Sequence, residues 1–502
     1  MQDQGSMNPN VLFILSDDQG PWALNCAGTK ELETPNLDRL AREGTRLENF
    51  FCASPVCSPA RASLLTGRMP SQHGVQDWLR SGSVDRELME RLGIKNPYGG
   101  YGDERKPIRY LDGERTYTDV LAENGYELAL SGKWHLGDSM QPQHGFKHWT
   151  TIGKGGAVYT APDVIEHGTI EIKDEYLTTL FTDRALDYME QMRETENPWY
   201  MHVAYTAPHS PWNWDQHPKR WIDHYKDMTF DSIPDVPDHP DGVTGAMYGL
   251  PARQEALVGY FAAVSAMDEE IGRLLDYLDE TGQAENTLIV FMSDNGMCMG
   301  HHGVWGKGNG TFPQNMYEES VKVPCIIKLP EGLAAPRGQV REELAGACDI
   351  YPTLLALTGC EDEDQRQVVR PGQNFSWILN GEDGESREAL VTVCEEYGPV
   401  RMIRTETHKY IHRYPYGPHE LYDLTADPGE VNNLYDDAGS EEILLSLRSQ
   451  LEAFFAQYAD PDLDGALQPN TGLGQLTRLQ RGEAGRERFG GEDQQRTVRR
   501  KA

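Results

Sequence analysis

Four apolar, strand-like runs in this chain each end in side chains able to do chemistry. Val11–Leu15 ends at Asp17 and Asp18, and Tyr126–Leu130 at Lys133 and His135. Trp199–Tyr205 ends near His209, and Thr287–Met292 at Asp294 and Asn295. Asp17, Asp18, Asp294 and Asn295 form an all-oxygen donor set of the kind hard divalent cations prefer. Histidine moves protons near neutral pH. A fifth segment is Cys57-Ser58-Pro59-Ala60-Arg61, followed by LLTGR ending at Arg68. It comes after the short loop FFCASPV, and Pro59 suits a first helical turn. Residue 57 is therefore expected at a helix N-terminus, where free N–H groups and the helix dipole favour an anion. Arg61 falls one turn on, on the same face. Taken singly, each feature has a plain reading: a helix cap, an Asn-Gly turn, a buried thiol. In open α/β sheets, however, ligands bind beyond the carboxyl ends of the strands, and four clusters in the same phase point to one crevice.

The elements that must position these residues alternate along the chain. A helix is expected over TPNLDRLAREG, with Thr34 as N-cap, Pro35 in the first turn and Gly44 as the stop. Further helices are expected at Arg115–Asn124, Tyr176–Met192, Tyr260–Leu278 and Asp349–Thr358, and another strand at Val323–Leu329. Such alternation predicts an α/β fold built on a large, mainly parallel sheet flanked by helices. After about residue 385 the texture changes to ALVTVCEE, VRMIRT and HKYIHRY, then an amphipathic helix over Glu441–Tyr458. The expected organisation is a catalytic domain over 1–385, a small antiparallel sheet with a helix over 386–458, and a tail over 459–502. The Gly-, Gln- and Arg-rich tail reads as disordered or as clasping a partner.

With 502 residues, 38% of them hydrophobic and 25% charged, the chain is an ordinary globular protein. Its formal charge of −33 argues against nucleic acid or an anionic membrane as partner. No apolar run is long enough to cross a bilayer. The start, MQDQGSMNPNVLFIL, has no basic region, and its apolar run reads as a buried strand rather than a signal peptide. A cytoplasmic location is expected, with a periplasmic or secreted one the alternative if a leader was removed. Eight cysteines without paired spacing are expected to be reduced thiols.

The pair CSPAR and LLTGR resembles the signature of the sulfatase family, whose members belong to the alkaline phosphatase superfamily. The resemblance runs through NVLFILSDDQG, SGKWHLG, APHSP, SDNG and VWGKGN to DIYPTLLALTG and ELYDLTADPGEVNNL, in the family's order. It implies an alkaline phosphatase-like fold. It also implies that Cys57 is converted to formylglycine by a separate maturation enzyme. Asp17, Asp18, Asp294 and Asn295 would be metal ligands, with residue 57 a fifth; the family usually takes Ca²⁺, and Mg²⁺ or Mn²⁺ stay open. Lys133, His135, His209 and Lys307 would complete the catalytic set with Cys57 and Arg61. The implied reaction is hydrolysis of a sulfate monoester by one hydroxyl of a gem-diol at residue 57. In this scheme His209, with Lys307 nearby, protonates the leaving alcohol. His135 takes the second hydroxyl's proton so that sulfate can depart.

Aromatic and His residues near these motifs are the expected substrate contacts: His301, His302 and Trp212 first, then Trp78, His144, Trp214, His412, Tyr414 and Tyr416. A sulfated carbohydrate or an aryl sulfate is the expected substrate. The alternatives are a phosphonate or phosphate ester hydrolase of the same superfamily, and a non-catalytic protein that binds sulfated glycans with Cys57 unmodified. A homo-oligomer is open, with Arg496, Arg499, Arg500 and Lys501 of the tail as candidate partners for the acidic body.

Overall fold

The structure is a computed structural model that describes residues 8–93, 101–243, 252–333, 335–363, 369–382, 384–395, 399–479 and 488–489. Ten strands form the main sheet. In chain order they are β1 (Asn10–Ser16), β2 (Thr45–Leu47), β3 (Glu127–Gly132), β4 (Phe146–Thr151), β5 (Asp163–Glu166), β6 (Thr169–Ile172), β7 (Trp199–Ala204), β8 (Thr287–Ser293), β9 (Cys325–Lys328) and β10 (Gln339–Arg341). Their spatial order is β10-β2-β9-β8-β1-β7-β3-β4-β5-β6. The central run β8-β1-β7-β3-β4 is parallel; β9 and β5 pair antiparallel with its two ends, and β6 pairs antiparallel with β5. The expected mixed, mainly parallel sheet is thus the one observed.

Both faces of the sheet are covered, which is why its strands read as unbroken apolar runs. Side chains alternate between the faces. Val11, Phe13 and Leu15 of β1 enter one core, and Leu12 and Ile14 the other. The second core is closed by α1 (Pro35–Glu43), α4 (Leu177–Arg193) and α5 (Arg253–Glu280). The first takes residues of α2 (Cys57–Thr66), α3 (Tyr117–Glu123) and α6 (Ile350–Thr358).

Helix starts differ from expectation in an informative way. Thr34 does precede α1, but its hydroxyl makes no cap hydrogen bond. The buried carboxylate of Asp268, on α5, accepts the N–H of Asn36 at 3.0 Å and of Leu37 at 2.8 Å instead. A distant side chain therefore satisfies the donors a local cap would have taken. At α3 the local signal does hold: Thr116 and Asp119 form a capping box, which starts the helix two residues after Arg115. Helix α5 extends seven residues upstream of the expected Tyr260 start.

A second, antiparallel sheet, β11 (Ala389–Cys394), β12 (Val400–Thr405), β13 (His408–Arg413) and β14 (Glu420–Asp423), carries α7 (Glu441–Tyr458). It abuts the loop before Cys57, since Val393 N–H reaches the Ala53 carbonyl at 3.0 Å and the Thr392 hydroxyl the Cys52 carbonyl at 2.8 Å. None of the eight cysteines forms a disulfide among the described residues. Among the described residues, no helix is long and apolar enough to cross a membrane.

The described part of the tail departs from the expected disorder. Residues 459–479 lie against their own chain, where Leu463 and Leu479 bury with Phe489. Asp460 N–H bonds the Ser71 carbonyl at 3.0 Å, and Arg401 pairs with Asp464. The apolar residues that anchor it are too widely spaced to show a helical or strand period. Arg496, Arg499, Arg500 and Lys501 lie outside the described residues.

One buried carboxyl here has a measurable consequence. Glu395 follows β11, is buried, and has no hydrogen-bond partner for either carboxyl oxygen among the described residues. Burial lifts its pKa from 4.5 to about 7, with Arg401 opposing and Asp464 adding to the rise. The folded chain therefore holds a proton that the unfolded chain has released between these values. Stability falls as pH rises through that window, by on the order of 3 kcal/mol once pH exceeds the folded value. Glu395→Gln is expected to raise Tm at pH 8.5 and to leave it nearly unchanged at pH 4.5. A Tm difference that is constant across pH in thermal melts would contradict this assignment.

Candidate active site

The four strands that end in reactive residues are neighbours, in the order β8-β1-β7-β3, and all run the same way. Their carboxyl ends consequently share one rim of the sheet. Ser16 is followed by Asp17 and Asp18, Ser293 by Asp294 and Asn295, Gly132 by Lys133, and the loop after Ala204 carries His209. Helix α2 begins at Cys57, as its sequence predicts, and Val56 is the N-cap residue. Cys57 Sγ lies 3.1 Å from Asp17 Oδ1 and 2.7 Å from Lys307 Nζ.

Asp17, Asp18, Cys57 and Asp294 are all buried, and each can offer one ligand atom within 4.8 Å of the others. Three cations hold them. Lys133 pairs with Asp17. Lys307 Nζ is 2.5 Å from Asp18 Oδ1, and Arg61 Nε is 2.9 Å from Asp294 Oδ2. Arg61 also donates to the Lys133 carbonyl at 2.8 Å, which ties α2 to the end of β3. Asn295 Nδ2 donates to Asp18 Oδ1 at 2.8 Å, and Lys307 Nζ is 3.5 Å from Asn295 Oδ1.

The electrostatics follow from burial and crowding. Burial works against ionisation of Asp17 and Asp18. Lys133, His209, Arg61 and Lys307 more than offset it for Asp17, and Lys307 and His209 do so for Asp18. Both carboxyls are held below the usual range. Burial and the neighbouring Asp17 lift Asp294 to about 6 despite Arg61. Burial and Asp17 also push the Cys57 thiol well above its ordinary value. An unmodified Cys57 is therefore a protonated thiol at neutral pH and a poor nucleophile. Three carboxylates so close together repel one another, and a divalent cation relieves that repulsion. The donor chemistry, with Asn295 adding a fourth oxygen group, fits a hard cation.

The two histidines of the set are oriented by backbone carbonyls, which can only accept. His135 Nε2 lies 3.2 Å from the Leu79 carbonyl, so Nε2 carries the hydrogen and Nδ1 keeps a lone pair. Nδ1 has no hydrogen-bond partner among the described residues. Burial, together with Lys133 and Arg61, holds the His135 pKa well below its ordinary value, which keeps the ring neutral. His209 donates from Nδ1 to the Ser210 carbonyl at 2.7 Å, leaving Nε2 3.7 Å from Asp18 Oδ2.

Several positions that sequence reasoning passed over take part. The Tyr260 hydroxyl, on α5, accepts from Gly20 N–H at 3.1 Å and donates to the Asp18 carbonyl at 2.9 Å. It fixes the loop in which Asp18 adopts φ 60°. Gly155 packs on the His135 ring, where an added Cβ would lie 2.1 Å from Cε1 and 2.6 Å from Nδ1. Its only sequence signal is the run GKGG, which reads as a flexible turn. Gly155→Ala is expected to lower kcat about 10- to 100-fold by displacing that ring, with the fold retained. A kcat within two-fold of the parent enzyme would show that the position of the ring is immaterial.

The expected substrate contacts separate. Trp212 is a packing residue: it is buried, donates its indole N–H to the Pro208 carbonyl at 2.8 Å and meets Tyr260 edge-on. His301 is buried against Trp22 at 4.9 Å, and burial lowers its pKa to about 4. His302 stacks on Tyr317 at 3.8 Å and meets Glu319 at 2.9 Å. His144 pairs with Asp119 of the α3 cap at 3.0 Å. His412 stacks on His419 in the smaller sheet, and Tyr416 is 92% exposed. Trp212 and His144 are expected contacts on residue type and nearness to the motifs, and neither property distinguishes packing from contact.

Comparison with known proteins agrees with this geometry. The profile of the sulfatase family matches residues 9–360, and that of the N-sulphoglucosamine sulphohydrolase C-terminal region matches residues 300–457. The chain is 27% identical to the N-acetylglucosamine-6-O-sulfatase of Bacteroides thetaiotaomicron, over 92% of this chain and 89% of that protein. It is 29% identical to the ulvan-active sulfatase of Formosa agariphila, over 91% and 83% respectively. Among solved structures, a protein in complex with its substrate D-glucosamine-2-N,6-O-disulfate superposes with a TM-score of 0.73 at 26% identity, covering 91% of this chain and 99% of that one.

Proposed function

The chain belongs to the sulfatase family, and from that premise we propose that it removes sulfate from a sulfated carbohydrate, with Cys57 matured to formylglycine and Ca²⁺ as its cation. It is a sulfuric ester hydrolase, and the observation that carries this is the convergence of Cys57, Asp17, Asp18, Asp294 and Lys307 at one rim of the sheet.

Asp17, Asp18, Asp294, Asn295 and the oxidised side chain at 57 would hold the cation, which when bound lowers the pKa of a hydroxyl on residue 57 and attracts the anionic ester. Lys133 and Lys307 bring positive charge to the sulfate oxygens, where it counts most as the S–O bond stretches. Arg61 keeps Asp294 and the end of β3 in place. His209, with Nδ1–H bonded to the Ser210 carbonyl, presents Nε2 to the site and delivers a proton to the leaving alcohol. His135, neutral and with Nδ1 free, takes the proton of the second hydroxyl of residue 57, so that the aldehyde reforms as sulfate leaves. A plain thiol or alcohol at 57 has no second hydroxyl with which to do this.

The names of the relatives favour an aminosugar sulfate, so N-acetylglucosamine 6-sulfate is the first substrate to test. The maturation enzyme is the partner this reading requires. A cytoplasmic location is part of this reading, supported by cysteines that form no disulfide among the described residues. The experiment has two parts, both with protein from a host that contains the maturation activity. Mass spectrometry of the peptide spanning residue 57 should show an aldehyde in place of the thiol. Values of kcat/KM should then rank N-acetylglucosamine 6-sulfate above matched aryl phosphonate and phosphate diesters. A thiol at 57 would favour the non-catalytic binding protein, and a phosphonate preference would move the chain to the ester hydrolases.

A further inference from the structure

Residues 460–479 lie beyond both family matches, which end at 360 and 457, yet they are built into the wall of the active site. The centre of this contact is Gln475, which is fully buried. Its backbone adds a short parallel bridge to Leu79: Gln475 N–H donates to the Trp78 carbonyl at 2.8 Å, and its own carbonyl accepts Arg80 N–H at 2.9 Å. Its side chain holds the same loop from the other end. Oε1 accepts Gln76 N–H at 3.0 Å, and Nε2 donates to the Gly74 carbonyl at 3.0 Å. Gly474 N–H bonds Asp77 at 3.1 Å, and Asn470 reaches Gln76 at 3.2 Å. The loop 74–80 thus takes hydrogen bonds from the tail along most of its length.

That loop faces the chemistry through Leu79. Leu79 N–H donates to the hydroxyl of Ser58, the residue after Cys57, at 3.2 Å. The Leu79 carbonyl accepts from His135 Nε2 and so decides which nitrogen of that ring keeps its lone pair. The Leu79 main chain thus has the helix that carries residue 57 and the ring of His135 on its polar groups and the tail on its flank.

We infer that Gln475 is a positioning residue for the sulfatase reaction: its side-chain hydrogen bonds to Gln76 and Gly74 steady the loop whose Leu79 carbonyl sets the orientation and tautomer of His135. The inference rests on His135 acting as the base. A side chain that makes its hydrogen bonds to main-chain groups on both sides of a loop can hold it more rigidly than apolar packing, since each bond is directional. Loss of those bonds leaves the loop in contact but free to shift. An error of about 1 Å in a catalytic group is enough to cost a large factor in rate.

The test uses the full-length matured enzyme. Gln475→Met keeps the volume and removes the side-chain hydrogen bonds, and Asn470→Ala, at the half-buried edge of the same segment, serves if Gln475→Met does not fold. His135→Ala is the reference. The expected result is a kcat about ten-fold lower with KM within about two-fold, since binding is not the function disturbed. In ¹⁵N spectra of histidine-labelled protein, His135 should be the Nε2–H tautomer in the parent and a mixture in Gln475→Met. A parent-like kcat, or an unchanged His135 tautomer in a variant with lowered kcat, overturns the role given to Gln475. Full activity in His135→Ala instead overturns the reading of His135 as base, and with it the route by which Gln475 acts; the two failures are told apart by which variant keeps its rate.

Discussion

Cys57→Ala abolishes multiple turnover, with kcat reduced by at least ~10³-fold while the fold is retained. The residue opens α2 and is buried among Asp17, Asp18, Asp294 and Lys307. An alanine there leaves a small gap and no reacting atom. Cys57→Ser separates the nucleophile from the release step. Its hydroxyl can accept one sulfate, but no second hydroxyl is present to expel it, so Cys57→Ser should show at most one equivalent of product per site. The measurement is product formation over many equivalents of substrate, with intact-protein mass spectrometry to detect a sulfated enzyme. Sustained turnover by Cys57→Ala would sink the mechanism, whatever the fate of the substrate assignment.

Removal of the cation is the second large effect. With Asp17, Asp18 and Asp294 within 4.8 Å of one another around residue 57, the apo site holds crowded buried carboxylates that Lys133, Lys307 and Arg61 neutralise only in pairs. Exhaustive chelation is expected to lower activity below ~1% of the starting value, and Ca²⁺ to restore it better than Mg²⁺ or Mn²⁺. Stability should move with activity, because a ligand of the native state at about 100 times its Kd contributes about 2.7 kcal/mol. The paired readouts are elemental analysis with rate, and Tm with and without added cation. A preparation free of metal by analysis that still turns over at the original rate would show that these residues hold no catalytic cation.

Much of this site is legible in the sequence. The ends of β1, β7, β8 and β3 are readable because a strand covered on both faces is an apolar run, and the first polar residues after it mark its end. That the four ends meet follows from a parallel sheet, in which every carboxyl end lies on the same rim. Cys57 at the start of α2 was readable from Pro59 and the loop before it. The helix N-cap at Thr34 was readable in position but not in mechanism, since Asp268 lies more than 200 residues away and supplies the acceptor. The docking of residues 459–479 is not legible in the sequence because its anchors, Leu463, Gln475 and Leu479, follow no period and meet one another and segments far away along the chain.

The sequence by itself determined the reacting groups, the order of the elements and the family. These depend on residue type and on local periodicity, which survive in one dimension. Tertiary structure alone decided the rest. It showed that Trp212 packs while Tyr260 holds Asp18, that Gly155 leaves room for the His135 ring, and that a carbonyl at Leu79, braced by the tail, selects that ring's tautomer. Main-chain carbonyls and absent side chains carry no signature in residue type. Their effect is set by which distant segment packs against them, and that is known only once the chain has folded.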